Sequence, residues 1–162
     1  MPPSATSVVV SDSGPLIALA RLDLLHLLNA LFDEVQVPEA VFAECIAKPD
    51  LLDAQRIQAA VTADRLHLCE ATAVVAPGLD AGEGFAIGRA LQIGATLLAD
   101  DRAARRHAME LHLRVIGTLG VLVQSKRNGL LGAVRPVVEA LRAQDHWLSD
   151  AAVAEALRAA GE

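Results

Sequence analysis

The chain has 162 residues, of which 53% are hydrophobic, and its formal net charge is −6 from 20 acidic and 14 basic residues. This length suits one domain with its own core, and the negative charge excludes a protein that holds nucleic acid by an overall positive field. The chain has only two cysteines, which predicts a protein without disulfides in a reducing compartment, the cytoplasm. It has no apolar stretch long enough to span a membrane, and the first seven residues carry no positive charge, so we expect neither a membrane span nor a signal peptide.

Apolar β-branched runs alternate with helical patterns along the whole chain, which predicts βαβ units and a parallel sheet. The spacing predicts strands at 7–11, 34–37, 66–69, 95–99 and 113–116. It predicts helices over 16–31, from Pro38, over 51–63, over 81–93 up to a C-cap at Gly94, over 102–111, and from Thr118 with breaks at Gly129, Gly132 and Ser149. We expect one domain over residues 1–162, with a core at about 8–125 and a helical C-terminal extension at about 126–162.

Acidic residues directly follow two of the predicted strands. Asp12 ends the first strand, and Asp100 and Asp101 end the strand ATLLA. In open parallel sheets, ligands bind beyond the carboxyl ends of the strands, so both positions are candidates for a site. Aspartate is equally suited to cap the helix that follows a strand, and this structural interpretation stays open for each position.

Two glutamates on predicted helices are further candidates. Glu83 lies three residues after Asp80, which is capping-box spacing, so it has a structural explanation of its own. Glu44 lies between apolar neighbours, where either a cleft rim or a solvated helix face would explain it. If these acids converge, their mutual repulsion favours protonation or a hard divalent cation, and ligands that are all oxygen suit Mg²⁺ or Mn²⁺.

Five segments of the chain resemble, in order and spacing, a subfamily of the PIN-domain family, the VapC-like toxins of toxin–antitoxin pairs. They are VVSDSGPLIALA (9–20), VPEAVFAEC (37–45), LDAGEGFAIGRAL (79–91), GATLLADDRAARRHA (94–108) and VIGTLGVL (115–122), and the tail at 148–162 is also similar. The resemblance implies an α/β fold with three αβα layers, a central parallel sheet and a helical C-terminal tail. It also implies an acidic pocket that binds Mg²⁺ or Mn²⁺ and cleaves RNA.

By this resemblance the catalytic acids are Asp12, Glu44, Glu83 and the Asp100–Asp101 pair. Asp12, Glu83 and the pair are the expected metal ligands, with Asp101 favoured as the inner ligand of the two. Glu83 departs from the family's usual Asp. The expected substrate contacts are Ser13 beside Asp12 and the cations Arg102, Arg105 and Arg106, although a solvated helix face also explains these arginines. With no Tyr, one Trp and three Phe, an aromatic base-stacking platform is not expected.

The expected function is therefore a metal-dependent endoribonuclease, the toxin of a type II toxin–antitoxin system. Its expected partners are an RNA substrate, a small antitoxin and a second copy in a homodimer. A catalytically inactive PIN-like module that binds another protein is the alternative. A phosphotransfer domain is a third hypothesis, but Gly14 occupies the position where a phosphatase of that type has its second Asp.

Overall fold

The computed structural model describes residues 7–162, so most of the segment behind the prediction of no signal peptide lies outside the described residues. Residues 7–162 form five strands and nine helices. The strands are β1 (Val8–Ser11), β2 (Glu34–Pro38), β3 (His67–Cys69), β4 (Thr96–Leu98) and β5 (Val115–Ile116). The helices are α1 (Ser13–Arg21), α2 (His26–Leu31), α3 (Glu39–Cys45), α4 (Leu52–Thr62), α5 (Ala81–Ile93), α6 (Arg102–Glu110), α7 (Thr118–Arg127), α8 (Arg135–Ala143) and α9 (Asp150–Ala159).

The strands form one parallel sheet in the order β3-β2-β1-β4-β5. Val9 of β1 pairs with Val35 on one side and with Thr96 on the other. Val9, Val35 and Leu97 are almost fully buried, as expected for strands that helices cover on both faces. The predicted three-layer α/β fold with a central parallel sheet is confirmed.

The predicted helix over 16–31 is two helices. Asp23 adopts a left-handed conformation with φ 57°, and the N–H of Leu24 donates to the carbonyl of Leu19 at 2.8 Å, which turns the chain between α1 and α2. The leucine spacing continues through this break because both helices bury leucines, such as Leu19 and Leu28, in the same core. Apolar spacing therefore does not reveal the turn.

Pro38 is the last residue of β2 and the N-cap of α3, one position before its predicted place in the helix. Its ψ of 143° is extended, and it pairs with Cys69 in the sheet. Gly94 ends α5 with φ 67°, as its predicted C-cap role requires.

The C-terminal helices pack on the same core as the sheet. Val153 and Leu157 of α9 belong to the buried cluster that contains Val9. The predicted boundary near residue 126 lies inside α7, which ends at Arg127. For this reason we propose that the chain is a single domain. Within residues 7–162, no helix combines the length and the apolar character needed to cross a membrane.

Candidate active site

The candidate site lies where the strand order reverses. From β1 the chain proceeds outward through β2 and β3, and it then returns to place β4 and β5 on the opposite side of β1. Ligands of doubly wound sheets bind at such a switch point, beyond the carboxyl ends of the strands. Asp12 follows β1 there, and its backbone N–H donates to the carbonyl of Leu98, the last residue of β4, at 2.9 Å.

Asp12 is a buried carboxylate with an unused oxygen. It occupies the N-cap position of α1, yet within residues 7–162 its side chain makes no capping hydrogen bond and its Oδ1 is buried without a partner. The pKa of Asp12 is raised to about 7, chiefly by burial and also by the negative charges of Glu83, Asp80 and Glu44, against the lowering effect of the Ser13 backbone. Asp12 therefore does not act as a simple helix cap.

Glu83 takes part in the capping box that its spacing predicts. Its Oε2 accepts from the N–H of Asp80 at 2.9 Å, and its own N–H donates to Oδ1 of Asp80 at 2.8 Å. Glu83 is nevertheless buried, and burial raises its pKa, with further contributions from the charges of Asp80, Asp101 and Glu44. Glu83 therefore both caps α5 and belongs to the acidic group.

Glu44 approaches the site from α3 and lies against α5. A Cβ atom added to Gly82 would stand 2.5 Å from Oε1 of Glu44 and 3.0 Å from its Oε2. Because Gly82 has no side chain, the carboxylate of Glu44 can lie against the first turn of α5. Sequence reasoning missed the role of Gly82 and the charge that Asp80 adds. Their place in the segment LDAGEG, directly before Glu83, is the signal that was available.

Asp100 and Asp101 have different surroundings although they are adjacent. Asp101 is exposed, caps α6 by accepting from the N–H of Ala104 at 2.9 Å, and acts on the pKa of Glu83. Asp100 accepts from the N–H and the Oγ1 of Thr118 at 2.7 and 2.6 Å, and Nε2 of His146 lies 3.4 Å from its Oδ2. Burial alone would raise the pKa of Asp100, but His146 and Thr118 hold it below its usual value.

The predicted substrate contacts also separate into two kinds. Ser13 is half-buried as the first residue of α1, and Arg102 and Arg106 are exposed on α6. Arg105 instead donates from Nη1 to the carbonyl of Ala99 at 3.0 Å, so its guanidinium lies at the end of β4. Only Arg102 and Arg106 among the three arginines are freely presented to solvent.

The acids that influence one another electrostatically are Asp12, Glu44, Asp80, Glu83 and Asp101. As placed, no three His, Cys, Asp or Glu side chains within residues 7–162 are spaced to hold a metal ion. The donor set nevertheless fits Mg²⁺ or Mn²⁺ in its chemistry, because every donor is a carboxylate oxygen. The unpartnered Oδ1 of Asp12 fits too, since a buried carboxylate needs either a proton or a cation.

The fold and this acidic group define an α/β protein with a carboxylate-lined site at the switch point of a parallel sheet. The PIN-domain family profile matches residues 8–162, which is nearly the whole chain, and the chain belongs to the PIN-domain family. The PIN domain is a nuclease-type fold. The predicted membership of this family is thereby confirmed.

A solved structure agrees with this assignment at the level of the fold. The chain is similar to a PilT N-terminus domain protein from the hyperthermophilic archaeon Sulfolobus solfataricus P2, with a TM-score of 0.54 and 19% identity. The match covers 73% of this chain and 92% of that chain. No curated protein sequence matches the chain significantly.

Proposed function

We propose that the protein is a metal-dependent endoribonuclease that hydrolyses RNA phosphodiesters at the switch point. The observation that carries the proposal is Asp12, whose buried Oδ1 has no partner within residues 7–162 and whose pKa is raised by burial and by three neighbouring carboxylates. A group of acids that is costly for the fold and lies where ligands bind is typical of a cation-dependent catalytic site.

Asp12, Glu83 and Asp101 are the residues that would hold Mg²⁺ or Mn²⁺, with Glu44 completing the shell or orienting the attacking water. When bound, the cation would supply an activated water and stabilise the leaving oxygen of the phosphodiester. The chain positions these carboxylates from its own elements: β1 delivers Asp12, and the capping box anchors Glu83 at the start of α5. Asp100, expected to share the central metal, is already engaged by Thr118 and is better suited to joining β4 to α7.

Substrate guidance is assigned to Ser13 and to the exposed arginines Arg102 and Arg106. The two arginines lie on α6 just after Asp101, where they would offset the net negative charge of the chain for an approaching RNA backbone. Arg105, expected to contact substrate, is better suited to holding the carbonyl at the end of β4.

The finer functional proposal rests on the resemblance of the five segments to VapC-like toxins. By this proposal the protein is the toxin of a type II toxin–antitoxin system and is located in the cytoplasm. Its partner is a small antitoxin, and it assembles as a homodimer. Copurification with the product of a neighbouring small reading frame, and the mass of the protein in solution, test these points.

The decisive experiment is cleavage of a mixed RNA pool by the purified chain with Mg²⁺ or Mn²⁺. We expect cleavage that is lost with EDTA and falls at least about 100-fold in Asp12→Asn, since such a change removes a metal ligand but leaves the fold intact. Asp53→Asn is the matched control, because Asp53 is buried to a similar extent but is not among the charges that raise the pKa of Asp12 or Glu83. Cleavage by Asp12→Asn at the wild-type rate would refute the assignment.

The alternative function is an inactive PIN-like module that binds another protein. It is favoured by one observation: the carboxylates of Glu83 and Asp101 both serve as helix caps. Calorimetric titration with Mn²⁺ separates the two functions. A folded protein that neither binds Mn²⁺ nor cuts RNA would support the module and refute the nuclease.

A further inference from the structure

The loop between α8 and α9 presents an exposed indole. Trp147 is 76% exposed, and it is the only tryptophan of a chain that has no tyrosine. Its neighbour Leu148 packs against the buried core, so the loop is anchored on one side of Trp147. The indole is therefore held on the surface by a fixed segment.

Several contacts determine the path of this loop. Nη2 of Arg142 donates to the carbonyl of Leu148 at 3.0 Å and to Oδ1 of Asp150 at 2.8 Å. The N–H of His146 donates to the carbonyl of Leu141 at 3.1 Å, closing the end of α8. These bonds fix the backbone on both sides of Trp147, which reduces the entropy lost when a ligand contacts the indole.

His146 connects this loop to the residues that follow β4. Its Nε2 lies 3.4 Å from Oδ2 of Asp100, and Asp100 is the residue before Asp101. Trp147 is the residue after His146, and Asp101 is the residue after Asp100. The loop that carries the indole therefore contacts the chain next to one of the carboxylates to which we assign the cleavage.

A cleft of about 330 Å³ lies beside the indole, and Arg142, His146 and Leu148 contribute to its walls. Asp145 and Asp150 also line it, and because Asp150 is paired with Arg142, the carboxylate of Asp145 is the charge that disfavours a phosphate group there. The face of an indole, in contrast, accepts a nucleobase by stacking. The chemistry of the cleft therefore selects a base rather than the backbone of a nucleic acid.

We propose that Trp147 stacks an unpaired base of the RNA strand next to the phosphodiester that is cut. This inference rests on the proposed nuclease function and adds a base-binding position to it. It also revises the expectation drawn from composition: a single indole supplies one stack, for which a platform of several aromatic residues is not required.

Intrinsic fluorescence tests the proposal directly, because Trp147 is the chain's only tryptophan and no tyrosine contributes. The probe is a single-stranded RNA of mixed sequence, about 12 nucleotides long, added to full-length Asp12→Asn protein so that cleavage does not intervene. We expect quenching that saturates with RNA. In the same background, Trp147→Ala should weaken binding roughly 5- to 100-fold, the range expected for the loss of one base stack, while Trp147→Phe should retain most of the affinity.

Leu130→Ala is the matched control, since Leu130 is an exposed apolar residue on another loop and its loss should leave RNA affinity unchanged. RNA binding without quenching, and with equal affinity in Trp147→Ala, would overturn the base-binding position and leave the nuclease to be judged by the Asp12→Asn cleavage assay. Absence of RNA binding would overturn both. A change in oligomeric state with RNA affinity unchanged would assign the indole to contact with a second copy and refute the proposal. If Trp147→Ala fails to fold, quenching of the unaltered indole and the Trp147→Phe variant still decide it.

Discussion

Asp12 and Asp101 both occupy the N-cap position of the helix that follows a buried strand, but their side chains behave differently. Asp101 caps its helix through the N–H of Ala104, whereas Asp12 makes no such bond and is buried among other carboxylates. The difference arises from location in the sheet. Asp12 follows the central strand β1, where the charges of Glu44 on α3 and Glu83 on α5 act on it, whereas Asp101 is exposed at the start of α6.

The raised pKa of Asp12 predicts a pH-dependent cost to the metal-free fold. The folded-state pKa of about 7 lies above the ordinary value of 3.8, so ionisation is harder in the folded protein and stability falls as pH rises through that interval. Asp12→Asn should therefore be more stable than the wild type at pH 8, by at most about 4 kcal/mol, and the two should converge below pH 4. Urea unfolding in EDTA at both pH values measures this. Lower stability of the variant at pH 8 would contradict the assigned environment.

Substitutions of Asp100 and Asp101 should have different effects, the first on stability and the second on metal binding. Asp100→Ala leaves the buried hydroxyl and the N–H of Thr118 without their acceptor, which should cost about 1–3 kcal/mol of unfolding free energy. Asp101→Asn should instead weaken Mn²⁺ binding at least about 10-fold, because it removes the charge of an assigned ligand. Denaturant unfolding and Mn²⁺ calorimetry on both variants check this pair. Interchanged results would make Asp100 the ligand and Asp101 the structural residue.

At the scale of elements, α5 is notable for the glycines at 82, 84 and 88, which lower its intrinsic helix propensity. Each glycine permits a close approach. Gly82 admits the carboxylate of Glu44, and Gly84 and Gly88 admit the backbone carbonyls of Val74 and Thr72. The three glycines thus lower the helix propensity of α5, but they allow α5 to pack closely against α3 and against the segment that precedes α5.

Gly82→Ala is expected to disturb the site without unfolding the protein. Its Cβ would stand 2.5 Å from Oε1 of Glu44, and the flexible end of that side chain can move away. We expect RNA cleavage to fall about 10-fold or more through displacement of Glu44, with the unfolding free energy unchanged or slightly higher because alanine favours helix. Cleavage rates and thermal melts are measured against Gly132→Ala, whose Cβ would meet open space. Equal cleavage by both variants would remove Glu44 from the catalytic group.

Gly88→Ala is expected to have the opposite outcome. Its Cβ would overlap the carbonyl oxygen of Thr72, a backbone atom that moves only if the whole segment shifts. Overpacking of this kind costs about 1–3 kcal/mol. Denaturant unfolding measures the loss, again against Gly132→Ala, and an unchanged midpoint would mean that the segment before α5 is not held by this contact.

At the scale of the molecule, Glu162 joins the C-terminal helices to one another. Its carboxylate accepts from the N–H groups of Val134 and Arg135 at 2.6 and 3.1 Å and lies 3.1 Å from Nζ of Lys126. The Val134 N–H, the Arg135 N–H and Lys126 lower the pKa of Glu162 below its usual value. One side chain after α9 thus satisfies the start of α8 and a cation of α7.

Glu162→Gln should lower the melting temperature at pH 7, where the wild-type group is ionised. Because the folded-state pKa is depressed, the stabilisation is present above the unfolded-state value and is lost as pH falls through the folded one. The difference between the two melting temperatures should therefore shrink as pH falls below the ordinary value of 4.5. Glu155→Gln is the control, since its pair with Arg158 is largely exposed and such pairs contribute little. A pH-independent difference between Glu162→Gln and wild type would exclude the charge as its cause.

Much of this architecture was predictable from local patterns. The five strands, the C-cap at Gly94, the breaks in the helical tail and the capping box of Asp80 and Glu83 all depend on residues close together in the chain. Strand-end acids were also visible, because an apolar run followed by Asp marks both the strand and its carboxyl end.

The partners of those acids were not visible in local patterns. Asp100 is held by Thr118 and His146, and Glu44 is admitted by Gly82, through contacts between segments far apart in the chain. Side-chain periodicity encodes which face of an element is buried, but it does not encode which element covers that face. The strand order and the packing of α3, α5 and the tail determine which element covers each face. They also determine that Asp12 is the aspartate with a buried oxygen that has no partner within residues 7–162.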